Sequence, residues 1–304
     1  MTVLVRTFVT LLIVATGTIL CVLLWPRFCL QHCWLSFKPG EKQESSRLTT
    51  SGTHSFQSYS RVPDGKPLVR APCHRCAIVS SSGQMLGSRL GKEIDQRECV
   101  LRMNQAPTTG YEEDVGTRST IRVVSHTSIP LLVRNHSYFF EQSLETLYIV
   151  WGPAKVMGRE KVGRTYRSLL KVKQMYPSLE IYTLTEKMMA YCDEVFQNET
   201  GKNRMKSGTY LSTGWFTMVL AMELCEQIHI FGMISDGYCR EKNHPTVQYH
   251  YFEKGKLDEC RMYLVHERAP RGAHRFITEK VVFSRWAKRR NMVFIHPSWV
   301  PALC

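Results

Sequence analysis

The sequence contains no Asp-x-Asp pattern. Its close acidic groups fall as Glu112-Glu113-Asp114, Asp193-Glu194 and Asp258-Glu259, and none offers two aspartates across one residue to a divalent cation. It contains no Gly-x-Gly-x-x-Gly, so a dinucleotide fingerprint is unsupported. Cys73-x2-Cys76 lacks the second close pair that a zinc site needs. No internal repeat is evident. Acidic charge is scarce: 26 Asp and Glu stand against 40 Lys and Arg, for a formal net charge of +14. The basic residues are spread along the chain with no nucleic-acid module among them, which argues against nucleic-acid binding. A solvated basic surface, or an affinity for anionic substrates or membrane, remains.

At 304 residues the chain holds one good-sized domain plus extras, and 43% hydrophobic content supports a sizeable core. Thr7 to Trp25 (TFVTLLIVATGTILCVLLW) carries no charge and has about the ~20 residues needed to cross a bilayer as a helix. No small-residue cleavage site follows it; the next residues are Pro26, Arg27 and Phe28, which favours a signal anchor over a cleaved signal peptide. Residues 1–6 then form a cytoplasmic tail and 7–25 the transmembrane anchor. Residues 26–70 form a luminal stem that is polar and turn-rich, with a Ser/Thr-heavy stretch from Glu44 to Ser60. Residues 71–304 form the folded domain. A count of flanking charges favours the opposite orientation, because Arg27, Lys38 and Lys42 follow the span and only Arg6 precedes it. The sequons Asn135-His136-Ser137 and Asn198-Glu199-Thr200 point to the lumen. So do the cysteines: of eleven, eight lie beyond residue 70, an even set that suits an oxidising compartment.

Beyond Arg70, short apolar runs at 76–80, 99–103, 120–125, 146–151, 179–184 and 228–233 alternate with helical stretches such as 166–176 and 215–226. This alternation predicts an α/β, Rossmann-like domain around a mostly parallel sheet, with ligands at the C-terminal strand ends. Four segments carry chemistry. Cys76 to Ser88 runs from an apolar strand into Ser80, Ser81, Ser82 and Gly83, where small residues admit a ligand close to the backbone; an ordinary strand-to-helix turn has the same composition. Leu211 to Met233 places Ser212 or Thr213 at the start of an apolar helix, where a cap and an anion site are compatible. Tyr249-His250-Tyr251-Phe252-Glu253 and His274-Arg275-Phe276-Ile277-Thr278-Glu279 each join a histidine to a carboxylate, and a histidine can act as a base or support a phosphate.

In order and spacing these segments resemble the large, small, III and very small sialylmotifs of animal sialyltransferases. The large motif runs from Cys76 through Arg102-Met103-Asn104-Gln105-Ala106-Pro107 to Asp114-Val115-Gly116, and the small motif from Ser212-Thr213-Gly214 through Cys225 to Gly232. The resemblance covers about residue 71 to the end, and SSSGQMLG, RMNQAP and HRFITEK are similar to the GalNAc α-2,6-sialyltransferase branch. Ser81 and Gln84 stand where many relatives have asparagines. The resemblance implies a variant of the GT-A glycosyltransferase fold and CMP-sialic acid as donor, with no cofactor and no metal. It implies sialylated core 1 O-glycans as acceptors, with glycolipids as a second class, and a single-pass type II protein of the Golgi membrane. His274 is implied as the general base, with Glu279 supporting it. His250 is implied to stabilise the departing phosphate. Ser81, Gln84, Asn104, Tyr210, Ser212, Thr213 and Gly214 are implied to hold the donor, and Cys76 and Cys225 to form a disulfide. A non-catalytic glycan-binding protein on the same fold would not need His274 and His250, and both are present.

Overall fold

The six apolar runs, joined by a seventh strand at 292–296 that the sequence reading did not single out, become the parallel centre of a sheet in the computed structural model, which describes residues 46–48 and 52–301 except 161, 254 and 256. They are β4 (Cys73–Val79), β5 (Cys99–Met103), β6 (Ile121–Ser125), β7 (Leu147–Trp151), β8 (Ile181–Leu184), β9 (Cys225–Phe231) and β10 (Met292–His296). Every residue of β5 to β8 is buried, the mark of strands covered on both faces. Alternate residues serve opposite layers. Ile121, Val123 and Ile149 join one core cluster, while Val124, Tyr148 and Val150 join another. The helices of ten or more residues are α1 (Arg164–Met175), α2 (Glu186–Thr200), α3 (Thr213–Leu224), α4 (Glu259–Arg268) and α5 (Phe276–Arg289). α3 is buried on nearly every side and packs across β4, β5, β6 and β9.

The parallel strands lie in the order β8-β7-β6-β5-β4-β9-β10. The chain therefore walks outward from β4 to β8, then returns to lay β9 along the other side of β4. That reversal opens a crevice at the C-terminal ends of β4 and β9. β4 runs directly into Ser80–Ser82, and the Ser80 N–H donates to Phe231 O at 2.8 Å across the switch.

Three findings depart from the sequence reading. The stem expected to reach residue 70 is shortened, because β1 (Ser46–Leu48), β2 (His54–Arg61) and β3 (Pro67–Arg70) belong to the sheet. β2 pairs antiparallel with β8, Tyr59 opposite Leu184. Only Phe56 and Tyr59 of β2 are fully buried, so this peripheral strand keeps a Ser-rich composition that resembles a linker. α3 runs from Thr213 to Leu224 rather than 215–226, because Cys225 already begins β9 and pairs with Cys73. Six of the eight distal cysteines form Cys73–Cys99, Cys76–Cys225 and Cys239–Cys260, which leaves no thiolate at Cys73-x2-Cys76 for zinc. Cys192, counted in the even set, is a buried free thiol, raised to a pKa well above the ordinary range by burial. Cys304 and the anchor at 7–25 lie outside the described residues. Among the described residues no helix is long and apolar enough to cross a membrane.

Candidate active site

The crevice is assembled from segments distant in sequence, and backbone hydrogen bonds hold them in register. Gly83 N–H donates to Gln248 O at 3.0 Å, and Tyr251 N–H donates to Ser81 O at 2.9 Å. A Cβ on Gly83 would lie 2.4 Å from Gln248 O, so only glycine lets the loop carrying His250 press onto the end of β4. Ser82 Oγ accepts from Gln84 N–H at 3.0 Å and caps the short turn Gly83–Met85. Ser81 lines the cavity. Gln84 does not: its side-chain amide donates to Glu259 Oε2 at 3.0 Å and to the Tyr238 hydroxyl at 3.3 Å, behind the wall. In this structure the Gln84 side-chain nitrogen is engaged by a buried carboxylate rather than facing the cavity.

The opposite wall is the start of α3. Ser212 is its N-cap and accepts from Trp215 N–H at 3.1 Å. The Glu279 carboxylate, from the first turn of α5, accepts from Ser212 N–H at 2.9 Å and from the Ser212 hydroxyl. Glu279 is 2% exposed, and burial raises its pKa to about 7 against the opposing pull of Ser212. Glu279 thus fixes the helix start and, through α5, the segment bearing His274. Thr213 and Gly214 follow the cap, where the first N–H groups of a helix lack intrahelical acceptors. Asn104 bridges from β5: its Nδ2 donates to Thr213 Oγ1 at 3.3 Å and its Oδ1 accepts from Ser125 N–H at 2.9 Å. Its φ of 47° is left-handed, a region that asparagine tolerates better than most residues. The buried Arg122 guanidinium holds that conformation by donating to Asn104 O at 2.8 Å and Ala106 O at 3.0 Å.

Two imidazoles face this cavity. His250 is stacked between Tyr249 and Phe252, at 4.2 and 5.2 Å between ring centroids, and its Nδ1 lies 3.2 Å from Glu253 Oε2. His274 Nδ1 donates to Tyr210 O at 3.1 Å, which fixes the tautomer and leaves Nε2 with its lone pair. The His274 N–H donates to His266 Nδ1 at 3.3 Å, and the two rings lie parallel within 4°. Burial lowers the His274 pKa, the Tyr210 carbonyl opposes this, and His266 lowers it further. Tyr210 itself is on the rim: it is 54% exposed, bridged to His274 along the backbone, with its ring 6.3 Å from the histidine ring.

Ser81, Asn104, Ser212, Thr213, Gly214, His250, His274 and Glu279 therefore share one cavity, with Tyr210 at its mouth and Gln84 behind it. Asn135 and Asn198 are exposed and lie apart from it. Sequence reasoning missed Lys280, which is 5% exposed and lines the cavity. Its ammonium lies 4.3 Å over the Tyr263 ring. Burial lowers its pKa, while Glu259 and Glu279 favour its charge. Its one sequence signal is adjacency to Glu279. The cavity thus offers an imidazole base, the Lys280 amine and a helix N-terminus, a set suited to a substrate with a phosphate and a nucleophilic hydroxyl.

A family model described as glycosyltransferase family 29 (sialyltransferase) matches residues 24–290. The chain is 66% identical over 271 residues to the Homo sapiens alpha-N-acetyl-neuraminyl-2,3-beta-galactosyl-1,3-N-acetyl-galactosaminide alpha-2,6-sialyltransferase, covering 89% of this chain and 87% of that protein. It is 65% identical over 253 residues to the Mus musculus protein of the same description, covering 83% and 70%. It is 54% identical to Homo sapiens alpha-N-acetylgalactosaminide alpha-2,6-sialyltransferase 3, over 79% of this chain and 78% of that one. With most of its length matched, and its motifs gathered around one cavity, the chain belongs to glycosyltransferase family 29, the sialyltransferases.

Proposed function

We propose that this enzyme transfers sialic acid from CMP-sialic acid, in α-2,6 linkage, to the GalNAc of sialyl-α-2,3-Gal-β-1,3-GalNAc. The observation that carries the reading is His274 in the same cavity as the α3 N-terminus and His250, with Nδ1 committed to the Tyr210 carbonyl. In this reading Nε2 takes the proton of the acceptor hydroxyl as that oxygen attacks the anomeric carbon. CMP leaves from the opposite face, so the configuration inverts. His250, Tyr210 and the N–H groups at Thr213 and Gly214 hold the departing phosphate, and Ser81 and Asn104 hold the nucleotide. Glu279 positions Ser212 and the His274 segment. The names of the Homo sapiens and Mus musculus relatives described above support the acceptor and linkage. The scaffold is read as a variant of the GT-A fold.

The test is product linkage analysis with the purified protein, CMP-sialic acid, and sialylated and unsialylated Galβ1,3GalNAc acceptors on peptide and lipid. An α-2,6 product on GalNAc, with preference for the sialylated acceptor, is expected. A product linked to galactose, or equal use of both acceptors, defeats the reading. Run with EDTA, the same assay should retain its rate, because this cavity offers the leaving phosphate His250, Tyr210 and the N–H groups at the start of α3. A large loss restored by Mn²⁺ or Mg²⁺ overturns that point.

The pH dependence follows from His274. The base must be neutral, and burial holds its pKa below the ordinary 6.5. Turnover at saturating substrate should therefore stay level as pH falls through 6.5 and decline only below it. Glu279, held at about 7, titrates in the same range, so the limb is read in E279Q as well, and one that stays centred above 6.5 there contradicts this environment.

The residues outside the described region complete the placement. We place the protein in the Golgi membrane, with 1–6 cytoplasmic, 7–25 spanning the bilayer, a stem from 26 to about 45, and the remainder luminal. Three disulfides and two exposed sequon asparagines support a luminal domain.

A further inference from the structure

Beside His274, which lines the cavity, two segments, 204–210 and 268–274, are zipped together by backbone. Gly272 N–H donates to Gly208 O at 2.9 Å, and Tyr210 N–H donates to Ala273 O at 3.0 Å. Residues 210 and 274 form a bridge. The zip lays the stem of Arg271 along Gly208: a Cβ there would lie 3.7 Å from Arg271 Cγ. Lys206, Arg268 and Arg271 are exposed on these segments, and no ion pair or side-chain hydrogen bond engages them among the described residues. The other cations nearby are occupied. Arg204 pairs with Asp193, and Arg275 donates to His266 O and Ala269 O, both at 2.6 Å.

A basic surface is ordinarily just solvated, and this chain has an excess of 14 positive charges. Two features set this rim apart. The carboxylates within reach point elsewhere: Glu267 accepts from Ile277 N–H and Thr278, Glu253 faces His250, and Asp193 holds Arg204. The rim also flanks the imidazole that faces the acceptor in the mechanism above, three residues from Arg271.

We propose that Arg271, with Lys206 and Arg268 exposed on the same two segments, forms a subsite for a carboxylate on the acceptor glycan. The inference rests on the acceptor reading of the preceding subsection. An acceptor sialic acid presents a planar carboxylate two sugars from the attacking hydroxyl, and a guanidinium fork matches it with two N–H donors. The subsite selects acceptors that already bear an acid. It takes no part in the chemical step.

The experiment is steady-state kinetics of the full chain and of R271Q, K206Q and R268Q with three acceptors: the sialylated trisaccharide, its sialic acid methyl ester, and the unsialylated disaccharide. R271Q should raise KM for the sialylated acceptor about fivefold, the size of one exposed ion pair. It should leave kcat, the donor KM, and the KM values for the ester and disaccharide unchanged. Wild type should lose the same preference when the carboxylate is esterified. K206Q and R268Q should give smaller shifts of the same kind. Wild type using all three acceptors alike defeats the acceptor reading and this subsite with it. Wild type preferring the free acid while R271Q leaves its KM unchanged defeats the subsite alone. A rise in donor KM, or an equal loss on all three acceptors, assigns Arg271 to the donor or to the scaffold and overturns the proposal.

Discussion

His274→Ala should lower kcat by about 10²–10⁴-fold, the usual contribution of a positioned general base, while leaving CMP binding nearly unchanged. A sugar hydroxyl is a poor nucleophile until its proton starts to leave. The Nε2 lone pair is available because Nδ1 is committed to Tyr210 O at 3.1 Å. That commitment also creates a risk for the alanine variant, since the carbonyl it leaves behind belongs to Tyr210, a proposed donor contact. His274→Asn separates the two effects. Its amide nitrogen replaces Nδ1 toward Tyr210 O, yet nothing replaces Nε2. Both variants should lose turnover alike if proton transfer is the missing step. Activity surviving in His274→Asn would show that the tether to Tyr210, not the base, mattered.

His250→Ala should behave differently. Its ring is clamped between Tyr249 and Phe252, and its loop is bonded to the end of β4 through Gly83 N–H and Ser81 O. That places it on the donor side, so both turnover and nucleotide affinity should fall. Isothermal titration with CMP distinguishes the two histidines. Equal loss of CMP affinity in both variants contradicts the assignment.

The parallel strands were legible because burial on both faces leaves nearly continuous apolar runs, as in LYIVW at β7. The candidate site was legible because an α/β sheet brings its active loops to one edge, so Ser81, Ser212 and the histidines meet at the β4/β9 switch. What escaped depends on pairings that no local pattern encodes. Gln84 carries the same amide in the cavity or behind it, and a buried carboxylate 175 residues away decides which. Lys280 reads as a surface cation until Glu259, Glu279 and Tyr263 enclose it. β2 hides two core rings, Phe56 and Tyr59, among serines, because a strand near the sheet's edge needs little apolar surface.

Replacing both Cys76 and Cys225 by alanine should destabilise the domain by up to about 5 kcal/mol, the chain-entropy value for a loop this long. The bond joins residues separated by 149 positions on adjacent strands. A loss of that size is comparable to the whole stability of a small domain and corresponds to a fall in Tm of roughly 10–20 °C. Function should fall with it, because the two ends carry the donor site. Ser80–Ser82 follow β4 directly, and Cys225 ends the helix that begins at Thr213. The double variant is the informative one. The sulfurs of Cys73, Cys76 and Cys99 lie within 4.8 Å of one another. A single Cys225→Ala would leave the Cys76 thiol poised to attack the Cys73–Cys99 bond by exchange and so yield a mixture. Peptide mapping without reduction should find Cys76 joined to Cys225 in the wild type and mixed Cys73, Cys76 and Cys99 pairings in the single variant. A free thiol at Cys76 or Cys225 in the wild type, or a double variant melting within about 2 °C of it, would show that the two strands are held by packing alone.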